Sequence, residues 1–162
     1  MTLAETLQQK LSEWQPTDRG KPSWIDSSVE TGWTIQLTAD RVETLGCQIW
    51  ELSLTAKECP WTTASALQTQ AEAIAAKVNG LREGLKVIEV DSIRMEALLR
   101  SDKPAKRTEK VGYYELRLIA AQNRIVLKRF DAAPGLNNKR EQVGFALTYE
   151  VIAKLIADLI GK

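Results

Sequence analysis

Glu89 and Asp91 stand two positions apart in a stretch of strand-forming residues. That spacing puts both carboxylates on one strand face about 7 Å apart, close enough to share a divalent cation. They are the leading acid-base candidates because the chain contains no histidine. Without an imidazole there is no Ser-His-Asp or Cys-His nucleophile and no histidine-ligated zinc or haem. A serine activated by lysine survives that exclusion, but no Ser-x-x-Lys spacing occurs.

Metal-dependent nucleases set an acid pair of this kind beside a Glu-x-Lys on a neighbouring strand. The nearest counterpart is Glu115-Leu116-Arg117, with arginine where that pattern has lysine. A histidine-free enzyme would therefore use Glu89, Asp91, Glu115 and Arg117 around a metal or an anionic substrate. The plainer reading is that alternating strand charges face water. Phosphate-gripping glycines are missing: Gly20-Lys21 runs into Pro22, Gln15 stands where a Walker loop needs glycine, and no G-x-G-x-x-G occurs. Cys47 and Cys59, the two cysteines, lack C-x-x-C spacing and cannot complete a structural zinc site alone, so a reduced buried pair is expected. No cofactor is expected.

Charge distribution says more than any motif. Residues 1–81 carry 6 basic and 10 acidic side chains, residues 82–162 carry 16 and 11, and the whole chain nets +1. Within 94–140 there are 12 basic residues against 5 acids, which suggests an anion-facing surface. A hairpin with a two-residue turn at Gln122-Asn123 would set Leu118 against Leu127 and Ile119 against Val126. Its polar side would then carry Tyr113, Glu115 and Arg117 with Lys128 and Phe130. Arg117 would lie opposite Lys128, a like-charge pair that invites an anion, supplied by Glu96, by Glu115 or by a ligand. The binding candidates are therefore Arg94, Glu96, Tyr113, Glu115, Arg117, Lys128 and Phe130. Two basic loops, with Lys103, Lys106 and Arg107 in one and Lys139 and Arg140 in the other, could hold anions. All five tryptophans fall in the first 61 residues. Trp14 and Trp33 read as core, whereas Trp24, in a Pro- and Ser-containing stretch, could cap the core or anchor a partner.

These residues need elements to position them. Thr2 and Glu5 have capping-box spacing ahead of Leu3, Leu7, Leu11 and Trp14, which predicts a helix over 2–14. The stretch 15–28, with Pro16, Gly20 and Pro22, reads as an irregular connection. Trp33, Ile35 and Leu37 predict a half-buried strand. Leu45 to Leu54 predicts another, and its parity change from Cys47 and Ile49 to Trp50, Leu52 and Leu54 indicates a bulge or two covered faces. Pro60 and Thr62 open a helix along Leu67, Ala71, Ile74 and Val78, ended at Asn79-Gly80. Strands are expected over 85–90, 93–99, 111–120 and 124–130, with a short one at Val143, Phe145 and Leu147. Thr148 caps a last helix on Ile152, Leu155, Ile156 and Leu159, with Glu150 and Lys154 as an outward pair.

The element order α-β-β-α-β-β-β-β-α predicts one α+β domain over 1–162. Its mostly antiparallel sheet has five or six strands and three helices, mainly on one face. At 162 residues, 44% apolar and 27% charged, the chain can bury a core without a metal or disulfide. In element order it resembles the small secretion-chaperone domains, a likeness that implies that fold. The longest apolar runs, Ala73–Ala76 and Leu118–Ala121, cannot span a bilayer. With no basic-then-apolar leader before Glu5, a cytoplasmic setting without membrane contact is expected. The expected function is non-catalytic binding of another macromolecule, chaperone-like and homodimeric, the acidic and basic halves pairing between copies. Nucleic-acid binding through 94–140 is a further reading beside the enzyme.

Overall fold

Short-range rules place the three helices. In α1 (Leu3–Ser12) the Thr2 hydroxyl accepts from the Glu5 amide (3.1 Å) and the Glu5 carboxylate accepts from the Thr2 amide (2.7 Å), the reciprocal cap that the spacing predicts. Strands β1 (Ser23–Asp26), β2 (Trp33–Asp40) and β3 (Gly46–Ala56) precede α2 (Ala64–Lys77). The cap of α2 is Thr63, not Pro60 or Thr62, because the Thr63 hydroxyl reaches the Ala66 amide at 3.1 Å. Seven strands follow: β4 (Leu85–Asp91), β5 (Glu96–Ser101), β6 (Ala105–Arg107), β7 (Lys110–Ile119), β8 (Arg124–Ala132), β9 (Arg140–Val143) and β10 (Phe145–Thr148). Thr148 then caps α3 (Tyr149–Ile160) through the Val151 amide, and Gly161, at φ 86°, ends it in the left-handed conformation. Lys154 turns away from Glu150, contrary to expectation, because Asp158 (2.8 Å) and Asn79 (3.2 Å) both offer it oxygens. These are features of a computed structural model that describes residues 2–16, 20–27, 31–102, 105–107, 110–133 and 139–161.

The fold is α+β; among the described residues all strand pairings are antiparallel and the sheet has ten strands in place of the five or six expected. The main path runs β1-β2-β3-β8-β7-β5-β4, with β10 beside β3, β9 beside β8 and β6 beside β7. The extra strands are pieces of three or four residues, too short for alternation to show in sequence; β1 hides in the supposed irregular connection. Leu7, Leu11, Ile35, Leu54, Ile74, Leu116 and Ile156 belong to one buried apolar cluster, with α1 packed on α3 and α2 on β4 and β5. The parity change in β3 is a bulge: Thr38 pairs with Glu51 and Ala39 with Ile49, leaving Trp50 as the extra residue. Among the described residues no helix is long and apolar enough to cross a membrane.

The β7–β8 register differs from the expected one. Leu118 pairs with Ile125, Arg117 with Val126 and Glu115 with Lys128, two residues from the anticipated pairing. Ala120–Gln122 wind into a short 3₁₀ turn closed by Asn123 at φ 52°, and the Ala120 amide donates to the Met95 carbonyl (3.0 Å), so the turn uses four residues. A shift of two preserves which side chains share a face. It replaces the like-charge Arg117–Lys128 pair by the opposite-charge pair Glu115–Lys128. In the β4–β5 connection, Ile93 to Met95 form a turn and not a strand start. The Asp91 carboxylate accepts from the Ile93 and Arg94 amides (2.9 and 3.0 Å), Met95 takes φ 56°, and Ile93 is 94% exposed.

Candidate functional site

The helices cover one sheet face, and the other holds most of the charged residues singled out in the sequence. On β7 the inward residues Tyr114, Leu116 and Leu118 are buried, so Tyr113, Glu115 and Arg117 project to the helix-free side. Glu115 is nonetheless only 4% exposed. Three guanidinium groups cover it: Arg117 Nε donates to Glu115 Oε1 (2.9 Å), Arg140 Nη1 donates to Glu115 Oε2, and Arg100 Nε lies 3.7 Å from Oε2. Arg117 also approaches Glu96 (3.9 Å). A second centre lies beside it, where Glu51 takes Lys128 (3.3 Å) and Arg124 (3.6 Å) and Arg124 Nε donates to Ser53 Oγ (2.7 Å).

Aromatic rings border the charges. The Arg140 guanidinium stacks 3.9 Å above the Phe130 ring, Arg100 lies 5.5 Å over Tyr113, and the two rings are 6.0 Å apart at 33°. Arg140 Nη1 reaches the Tyr113 hydroxyl at 3.5 Å. Between the two centres is an open hollow of about 280 Å³ whose rim includes Arg117, Arg124, Lys128 and Arg140. Burial pushes the Glu115 carboxyl up, but the hydrogen bonds from Arg140 and Arg117 outweigh it and hold the carboxyl below the ordinary glutamate range. The face thus carries Arg100, Arg117, Arg124, Lys128 and Arg140 against Glu51, Glu96 and Glu115. It is a cationic surface, supported from beneath by the one buried carboxylate among these, Glu115.

The sequence-selected residues divide clearly. Glu96, Tyr113, Glu115, Arg117, Lys128, Phe130 and Arg140 come together on this face. Arg94 stands beside it, around a hollow of about 200 Å³ shared with Glu89, Asp91 and Glu96. Trp24 does not join them. It pairs with inward-facing Leu37 and packs against the core on the opposite face. Lys139 is exposed next to Arg140. Lys103 lies outside the described residues, and for Lys106 and Arg107 only the backbone in β6 is described.

No family model, curated protein or solved structure matches this chain.

For the enzyme reading, the Asp91 carboxylate is occupied by its turn: hydrogen bonds from the Arg94 and then the Ile93 amide hold it below the usual carboxylate range. Glu115 is enclosed by arginines. No group of three or more acidic or cysteine side chains among the described residues is arranged to hold a metal ion. Both cysteines are free; Cys47 is buried, whereas Cys59 is only half-buried, its thiol donating to the Trp61 carbonyl (3.2 Å). Sequence reasoning missed Glu51 and Ser53 as members of the face, and counted Arg100 and Arg124 only within the basic stretch 94–140. The bulge at Trp50 was the available signal, since it fixes which β3 residues point away from the helices.

Proposed function

We propose that this chain is a non-catalytic binding protein whose working surface is the helix-free sheet face, and that its partner is an acidic segment of another protein. The observation that carries this is the set of three guanidiniums anchored on buried Glu115. Each guanidinium has five N–H donors, Glu115 engages only part of that capacity, and the three side chains remain 37–42% exposed, so donors are left for a partner. Fixing them beforehand lowers the ordering cost of binding a carboxylate-rich chain. The Phe130 and Tyr113 rings supply apolar contact at the same place. A chaperone-like role fits such a surface.

The test is a fluorescence-anisotropy titration with a dye-labelled glutamate-rich peptide, a serine-glycine peptide and oligo(dT). Saturable binding of the acidic peptide, weakened by salt and by the double substitution R117A/R140A, is the expected result. Equal binding of the serine-glycine peptide, or insensitivity to the substitutions, overturns the reading. Tighter binding of oligo(dT) transfers the surface to nucleic acid, for which cations flanking exposed rings are also suited. Dimerisation through the oppositely charged halves has a weaker motive than the sequence suggested, because Glu51 of the acidic half pairs with Arg124 and Lys128 within the chain. It stays a proposal, tested by light scattering: a particle of one 18.1 kDa chain at micromolar concentration removes it.

A further inference from the structure

The sheet divides, and the division creates a second candidate site. Strand β3 pairs with β8 only over Leu52–Thr55; its earlier half, Gly46–Ile49, pairs with β10, while β8 from Arg129 onward pairs with β9. The chain follows one arm inward along β9, bends at Gly144 and leaves along the other arm as β10. A cavity of about 560 Å³ occupies the split.

Its walls look built for polar contents. A Cβ on Gly112 would come within 2.8 Å of Arg129 Nη2 and 3.0 Å of Asp131 Oδ1, and one on Gly144 would meet the Gln48 side chain at 2.6 to 2.9 Å. At both places the missing side chain is what leaves room for a polar one to cross the backbone. Arg129, 8% exposed, is held by Glu83 Oε1 (2.9 Å) and lies 4.4 Å over the Tyr114 ring, which Phe145 supports edge-on at 5.2 Å. Arg82 and Lys110 are exposed and complete the lining. Trp50, the bulge residue, also lines it.

The charges indicate the ligand class. Among the described residues, Arg82, Lys110 and Arg129 stand against Asp131 in the wall and Glu83 behind Arg129, an excess of one positive charge. We propose that the cavity at the sheet split binds a small organic anion, its carboxylate or phosphate held by Arg82, Lys110 and Arg129. This site faces away from the Glu115 surface and does not depend on the function proposed for that surface.

Isothermal calorimetry with citrate and with ribose 5-phosphate, against ribose and chloride at matched ionic strength, tests it and separates carboxylate from phosphate. Saturable heat is expected with at least one anion and none with ribose. R82A/K110A, whose two side chains are exposed and leave folding intact, should weaken binding at least tenfold. R117A/R140A, on the opposite face, should leave it unchanged. No saturable heat with either anion at millimolar concentration, or equal binding by R82A/K110A, overturns the proposal.

Discussion

Replacing Glu115 by glutamine removes one charge, adds no volume and leaves three arginines around an amide. The structure sets the size of the effect. Breaking a fully buried ion pair costs about 3–5 kcal/mol, and losing an exposed one costs about 0–1 kcal/mol. Glu115 belongs to the first class, but the side chains of Arg100 and Arg117 are 42% exposed and that of Arg140 is 37% exposed, so all three recover hydration. The expected loss is close to that of one charged hydrogen bond, about 2 kcal/mol, or a fall in Tm of roughly 4–8 °C for a chain of this size. The loss must also depend on pH. A carboxyl held below its ordinary pKa stabilises the fold above the unfolded-state value, and that contribution disappears as pH falls through the folded value. Thermal or urea unfolding of wild type and E115Q should therefore show the full difference at neutral pH and a shrinking one as pH drops well below the ordinary glutamate range. Equal stability at neutral pH, or a difference that persists unchanged into acid, would refute the claim that the ionised carboxylate holds the arginine array.

Three further outcomes follow from other parts of the molecule. Glu83→Ala strands the buried Arg129 guanidinium against the Tyr114 ring, and its urea midpoint should fall by the equivalent of about 3 kcal/mol or more. Gly46→Ala places a Cβ 2.4 Å from the Leu147 carbonyl and 2.9 Å from Thr148 Cα, both backbone, so β3 and β10 must part; a loss of about 1–3 kcal/mol is expected. Faster hydrogen exchange at the Tyr149 amide, which donates to the Leu45 carbonyl, should accompany it. Burial, and then the neighbouring Asp40 charge, push the Cys47 thiol up to about 12, so in a C59S background a thiol reagent at mildly alkaline pH should label it only after denaturant is added.

Elements with a repeated signal were legible; those with only a partner to define them were not. Thr2-x-x-Glu5 and Thr148 give helix starts because a cap is a local hydrogen bond, written within four residues. The irregularity in β3 was legible because Trp50 breaks an alternation otherwise kept by Ile49 and Leu52, although sequence left a bulge and two covered faces equally open. By contrast β1, β6 and β9 exist because longer strands offer them an edge, and three or four residues carry no period of their own. The hairpin register failed for a comparable reason. Whether Ala120 to Gln122 extend the strand or wind into the turn is decided by the Met95 carbonyl on β5's approach, a contact at a distance that no local rule contains.

The charged face was half legible, and the missing half determines its character. Parity alone groups Tyr113, Glu115 and Arg117 with Lys128 and Phe130, and a register error of two residues leaves that grouping untouched. From such a list the face reads as an ion ladder in water. What changes it is Arg140, which sequence assigned to a separate basic loop: β9 docks on β8, and the Arg140 side chain crosses Phe130 to close over Glu115. A ladder of exposed pairs contributes little and fixes no geometry, whereas a buried carboxylate shared by three arginines fixes all three. The functional reading therefore depends on how β9 is attached to the sheet, and a change that loosens β9 should scatter the arginine array while the core beneath Leu116 stays intact.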